Sequence, residues 1–299
     1  MNWLIFALLG PAIWSINNFI DKFILDKHVK EVGALTIIFS IANLIISLFI
    51  FVVHGITILR FPSSLLVLVA GILQIVVFLA YFKALSLDET SRVVPLFQLI
   101  PVFTLVLGIL FLGEFLNPTA SLGFLFVFIG GFLLSTKKIN MDVLKPGPAF
   151  WYMMLASFSS ATIGILFKSV VIHNDFWTTF AYESLGIGLG GFILFLIPTY
   201  RSQFINTINS LEKKAYGIIA MNEIIFVLGK LGPRFAFTLA PVALVTVING
   251  LQPFFILMYG LLLTIVAPNI IKEDISKKVL FKKFISILII FLGIYLIAK

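Results

Sequence analysis

Residues 99–110, LIPVFTLVLGIL, are echoed by residues 251–262, LQPFFILMYGLL. Leu99, Pro101, Phe103, Leu105, Gly108 and Leu110 recur as Leu251, Pro253, Phe255, Leu257, Gly260 and Leu262, each pair 152 residues apart in a chain of 299. Both copies lie in long apolar runs. The proline in each removes an amide donor and crowds the preceding turn, so the spacing predicts an interrupted helix at both places. Two such helices half a chain apart predict an internal duplication.

Composition extends this reading to the whole molecule. The chain is 61% hydrophobic and 11% charged, with a mean hydropathy of +1.15, far more apolar than a water-soluble domain. Apolar runs of about 17 to 25 residues, enough to cross about 30 Å of hydrocarbon, fall at ten places: 3–20, 32–53, 63–82, 93–113, 118–136, 149–172, 177–197, 215–236, 240–266 and 284–298. Their uniform apolarity predicts helices, because barrel strands would alternate polar and apolar positions. The first run has no basic leader and no small-residue cleavage site, and is expected to be retained. The chain has no cysteine, which excludes disulfides, thiol nucleophiles and thiolate metal sites; neither a metal nor a cofactor is expected.

Charge sets the orientation. Of 21 basic residues, 16 fall at the odd-numbered connections: Lys22, Lys27, Lys30, Lys83, Arg92, Lys137, Lys138, Lys145, Arg201, Lys213, Lys214, Lys272, Lys277, Lys278, Lys282 and Lys283. The positive-inside rule makes that side cytoplasmic and places both termini outside. Within the first five spans the basic connections follow odd spans, and within the last five they follow even ones. The expected fold class is therefore an all-α polytopic membrane protein whose ten transmembrane helices form two inverted five-helix repeats: 1–136, a charged and Pro/Gly-containing linker 137–148, and 149–299. Inverted repeats with discontinuous helices are a recurring architecture of secondary transporters.

The stretch 80–131, with Tyr81, Ala84, Leu85, Ser91, Pro101, Gly108, Gly113-Glu114, Gly123 and Gly130-Gly131, resembles the EamA domain of the drug/metabolite transporter superfamily. Trp14-Ser15 and the later Lys22 are similar to that domain's first helix. The second half resembles it more weakly, keeping Pro253 and Gly260 but placing Val266 where Glu114 aligns. The resemblance implies a ten-helix fold around a central cavity that opens alternately to each side.

A charge at the bilayer centre costs about 2.5–3.5 kcal/mol on insertion scales, so each needs a partner, a wet cavity or a task. Glu223 lies mid-span beside Asn222, with Gly71 at the repeat-equivalent position. It is expected either to bind a cationic group or couple proton movement, or to be neutral or paired with Lys168 or Lys230. Glu183, nearer a span end, is expected to reach water in a structural role. Lys168 and Lys230 are expected to snorkel, and Glu114 to cap the turn into the fifth span, where Pro118 suits a first helical turn.

Uncharged polar residues gather in the same spans: Trp14, Ser15, Asn17 and Asn18; Gln74 and Tyr81; Gln98 and Thr104; Thr246, Asn249, Gln252 and Tyr259. Gln98 and Asn249 each lie one turn before a proline, beside a carbonyl that the proline leaves free. Such pairs suit a hydrogen-bonding solute; the alternative is inter-helix adhesion, worth about 0.6 kcal/mol per contact. The candidate substrate-binding set is thus Trp14, Asn17, Asn18, Gln74, Tyr81, Gln98, Asn222, Glu223, Asn249 and Gln252, with helix breaks at Pro101 and Pro253.

An intramembrane enzyme finds no support: no Gly-x-Ser-x-Gly or His-Glu-x-x-His occurs. His28, His54 and His173 lie near helix ends, and Asp21, Asp26, Asp88, Asp142, Asp175 and Asp274 are read as loop or helix-end residues. No phosphate-binding loop is present, so ATP is not expected to drive the protein directly. The expectation is a secondary active transporter of the cytoplasmic (inner or plasma) membrane that moves a small organic metabolite by alternating access, with spans 1, 3, 4, 6, 8 and 9 lining the path. Its partners are a small-molecule substrate and membrane lipid, not nucleic acid, and monomer and oligomer are both compatible with the chain. A lipid or polyprenyl-carrier flippase, which the 33 phenylalanines would suit, is the alternative on the same fold; a channel or an intramembrane enzyme fits less well.

Overall fold

A backbone in hydrocarbon must satisfy its hydrogen bonds within its own segment, and the apolar runs wind into helices accordingly. The computed structural model describes residues 2–55, 57–87, 93–135, 147–266 and 277–298. Most of the 137–148 linker, with Lys137, Lys138 and Lys145, lies outside the described residues, as do Asp88, Ser91, Arg92, Asp142, Lys272, Asp274 and Lys299. The helices are α1 (Asn2–Lys27), α2 (Val32–His54), α3 (Ser63–Leu87), α4 (Leu99–Leu107), α5 (Pro118–Ser135), α6 (Pro148–Val171), α7 (Phe176–Leu196), α8 (Pro198–Ser210), α9 (Lys213–Ala236), α10 (Val242–Asn249), α11 (Gln252–Val266) and α12 (Lys277–Ala298). A 3₁₀ segment, Val94–Gln98, leads into α4, and a π-helical turn, Gly108–Leu112, leaves it. Among the described residues seven spans are long and apolar enough to cross a membrane, and three shorter apolar helices, Leu96–Leu112, Pro118–Leu133 and Lys283–Ala298, bring the total to ten. Val52, Phe61, Phe111, Phe115 and Phe281 are largely exposed, an apolar exterior that calls for lipid rather than water. This is an all-helical, polytopic membrane protein.

Several elements depart from the sequence expectation. The first span does not stop at Ile20 but continues to Lys27, which carries Asp21 inside the helix, 6% exposed, rather than in a loop. Between the seventh and eighth spans the chain forms the additional helix α8, whose Tyr200 and Phe204 join the apolar cluster around α2 while Arg201 lies over Phe195. The ninth span is two helices, α10 and α11, separated at Gly250–Leu251. Pro101, by contrast, sits in the first turn of α4, where a missing amide is harmless; the winding changes from 3₁₀ to α just before it and the helix does not stop.

The packing repeats when the halves are exchanged. α3 packs on α6 as α9 packs on α1; α4 lies on α6 as α10 and α11 lie on α1; α2 pairs with α7, α5 with α12, and α4 crosses α10. At that crossing the hydroxyls of Thr104 and Thr246 meet at 2.6 Å. Five crossings per half is an odd number, so helices that exchange in this pattern run in opposite directions. Close approach depends on glycine: a Cβ on Gly293 would fall 2.7 Å from the carbonyl oxygen of Gly123 on α5. The exchange fails most clearly at one pair. α3 packs along α7, with Gly71 against Gly186, whereas the corresponding α9 touches α2 only briefly.

Candidate functional site

Where the halves meet they leave a cavity of about 210 Å³, walled by α1, α2, α3, α4 with its 3₁₀ lead, α6, α9, and α10–α11. Spans 1, 3, 4, 6, 8 and 9 all contribute, joined by Phe39 of α2. Of the sequence candidates, Trp14, Asn17, Asn18, Gln74, Tyr81, Gln98, Asn249, Gln252 and Pro253 line it; Asn222, Glu223 and Pro101 do not. Phe78, Phe82, Phe97, Phe226 and Phe237 supply aromatic walls.

The break in the ninth span shapes one wall. Pro253 has no amide to return, and the amide of Phe254 bonds Leu251 instead, at 2.9 Å, so the Gly250 carbonyl is left without its helical partner. Gln98 donates its side-chain amide to that oxygen at 2.7 Å; Gln98 and Gly250 are themselves 152 residues apart, so repeat-equivalent positions bond across the centre. The amide donor of Gln98 thus serves a carbonyl of the other half. Ser15 likewise donates to the Gln252 carbonyl at 3.1 Å, and Trp14 to that of Phe226 at 3.1 Å. Among the described residues, three buried amide atoms of the cavity lining have no hydrogen-bond partner: Asn18 Nδ2, Gln98 Oε1 and Asn249 Oδ1. They come from both halves and all belong to cavity-lining side chains.

Charge enters the wall from α9. Lys230 and Arg234 border the cavity and share one carboxylate, Glu183 of α7, at 3.0 and 2.7 Å. Lys230 also lies over the Phe180 ring, and Arg234 over Phe167 and Phe237. Glu183 is 1% exposed, so it does not reach water as expected; two cations on one carboxylate leave this corner with a net positive charge. Lys230 and Lys168 do not snorkel, because each finds a buried carboxylate. Lys168 pairs with Glu114 and donates to the Ala240 carbonyl at 2.6 Å. Glu114 does not cap the fifth span: it accepts the Val242 amide at 2.7 Å, at the start of α10, where a carboxylate meets the positive end of the helix. The fifth span is capped by Asn117, whose side chain accepts the Ala120 amide at 2.7 Å.

On the α1 side, Asp21 borders the cavity and accepts from Asn222 at 2.7 Å, while Asn17 donates to the Asn222 side chain at 2.5 Å. Asn222 is therefore a bridge between α1 and α9 behind the wall. Glu223, expected to be the charge in the path, faces α2 and accepts from Asn43 at 2.6 Å. Adjacent residues on a helix point about 100° apart, and neither of these two reaches the cavity. The sequence reading missed Asp21, Asn43, Ser160 and Arg234 and discounted Lys230. Asp21 was legible: it follows Asn17 and Asn18 by four and three positions, so a helix carried one turn further puts all three on one face. Asn43 was legible as an amide in the middle of an apolar run.

The cavity lies where two halves of similar packing meet. Residues 1–136 match the model of the EamA-like transporter family, part of the drug/metabolite transporter superfamily. A curated protein of Sinorhizobium sp., described as an uncharacterized transporter in the cobO 3′ region, is 47% identical over 57 residues, 19% of this chain and 40% of that protein's length. The fold as a whole is similar to a solved crystal structure at a TM-score of 0.69 and 14% identity, covering 99% of this chain and 96% of the other. The family match lies in the first 136 residues, the chain spans less than half of the curated relative's length, and the structural likeness extends over the whole fold.

Proposed function

We propose that the protein is a secondary active transporter that carries a small organic solute through the central cavity by alternating access, as a proton-coupled carrier or an exchanger. The observation that supports this best is the set of three unpartnered amide atoms, on Asn18, Gln98 and Asn249, contributed to one cavity by both halves. A buried polar atom without a partner costs about 1–3 kcal/mol, and a solute with complementary groups recovers that cost on binding. Charge narrows the solute. Lys230 and Arg234 offer cations, and Asp21, level with Asn222, offers a carboxyl about 12 Å from the level of Lys230 and about 18 Å from that of Arg234 along α9, at 1.5 Å per residue. Between them lie aromatic rings. An amino-acid-like or drug-like molecule with both signs of charge and an apolar body suits this lining better than a wholly apolar cargo. By loop charge the protein sits in the cytoplasmic membrane with both termini outside.

The test is a screen of such solutes against the purified protein by thermal unfolding. A true substrate raises the midpoint, because binding stabilises the native state by about 2.7 kcal/mol at one hundred times its dissociation constant. In the Asn249→Ala variant the gain shrinks by at least half. A stabilising solute that is not taken up by proteoliposomes would contradict the transport reading.

A further inference from the structure

The helix pair at which the halves match least also holds a buried glutamate. In the α3–α7 seam Gly71 lies against α7, and a Cβ added there would fall 2.7 Å from the Gly186 Cα. The residue 152 positions on is Glu223, in the corresponding seam between α9 and α2. Glu223 is 2% exposed and Asn43, which donates to its Oε1, is fully buried. Two atoms of this pair have no partner: Glu223 Oε2 and Asn43 Oδ1.

Those two atoms are complementary if a proton sits on Oε2. Asn43 Nδ2 has two hydrogens, one given to the Phe39 carbonyl at 2.9 Å and one to Glu223 Oε1. Adding Oε2–H donation to Oδ1 makes a cyclic acid–amide pair in which every polar atom is satisfied. Without the proton, a carboxylate with one donor stands in a dry contact, which buried charge does not tolerate. The groups around it offer little relief. α1 presents Asp21, of the same sign and within electrostatic reach; α2 presents only Asn43 at this depth. On α9 itself Lys230 lies two turns away, already committed to Glu183 of α7 together with Arg234.

We propose that Glu223 is a proton-binding site in the α2–α9 seam, separate from the cavity, whose proton holds α9 against α2 through Asn43 and whose loss frees the seam. Gly71 makes its seam close regardless of pH; Glu223 makes the matching seam close only when protonated. The link to solute movement rests on the transporter reading, but proton binding does not.

A cysteine-free chain allows a direct test. Val227 lies one turn after Glu223 on the same face and is 8% exposed. V227C is labelled with a maleimide in purified protein without any solute, and its rate is divided by that of free cysteine at the same pH. The expected ratio rises about tenfold, the equivalent of one buried hydrogen-bonded contact, from mildly acidic to mildly alkaline conditions. In E223Q, whose amide forms the same cyclic pair with Asn43, the ratio stays low throughout. In N43A it is high even in acid. A flat ratio in the parent, an E223Q that keeps the parent's pH dependence, or an N43A as slow as the parent in acid would overturn the proposal. Because no solute is present, none of these outcomes depends on whether the cavity binds one.

Discussion

Glu183 illustrates how much one side chain carries in a low-dielectric interior. It neutralises one of two cations that would otherwise face each other beside Phe180 and Phe167. Breaking a buried ion pair from one side costs about 3–5 kcal/mol, so Glu183→Gln is expected to lose about that much stability, measured as the unfolding midpoint in detergent. Asp175, outside the membrane at the start of α7, gives a prediction with a sign. Its partial burial raises the carboxyl's pKa, but the Thr178 amide and hydroxyl bonds and His54 at 3.0 Å outweigh it and hold the pKa below the ordinary carboxylate range. A lowered folded-state pKa contributes stability that is present above the unfolded value and lost as pH falls through the folded one. Asp175→Ala should therefore cost about 1 kcal/mol, the usual worth of a cap, at neutral pH, and the gap between parent and variant should close as the solution is acidified below the carboxylate range. Residue type was legible at such positions, but facing was not: Glu223 stood out as a carboxylate in mid-span, yet nothing in its own run says that it turns toward α2 while Asp21 turns toward the cavity.

The repeated motif produces different helices from similar sequence. Pro253 follows a true interruption because Gly250 allows the chain to loosen there, whereas Pro101 falls in an α-helical first turn behind a 3₁₀ segment that has already spent its irregularity. The unequal breaks explain why Gln98 crosses to Gly250. Gln98→Ala leaves that carbonyl unpaired in the interior, and a loss of about 1–3 kcal/mol is expected in the unfolding midpoint. Gly293→Ala probes the α5–α12 contact, where the new methyl meets the Gly123 carbonyl, the Val127 amide and the Val127 side chain, all at 2.7 Å. Overpacking of that kind costs about 1–3 kcal/mol, and the same measurement should register it. The ten membrane helices were readable from hydropathy because lipid forces each run to be apolar throughout. α8 was not readable that way, since its polar stretch Arg201–Asn209 gains its helix from docking Tyr200 and Phe204, a tertiary effect.

At the level of the molecule, the main helix pairs exchange between the halves, and the largest departure is at the α3–α7 and α2–α9 seams. Under the proposed transport cycle, a second arrangement would be reached by loosening the tight seam and tightening the loose one. The duplication was legible from residues 99–110 and 251–262 together with loop charge. The unequal seams were not, because they depend on which faces meet across helices far apart in sequence. The proposed alternating access would make the cavity reachable from each side in turn. Ser160 of α6 lines the cavity and is small, so a cysteine there reports access with little disturbance. The decisive measurement is labelling of S160C by a membrane-impermeant maleimide added to only one face of sealed vesicles of known orientation. Labelling from either face, and its suppression from both by a stabilising solute, is the predicted result; labelling confined to one face under all conditions would contradict it.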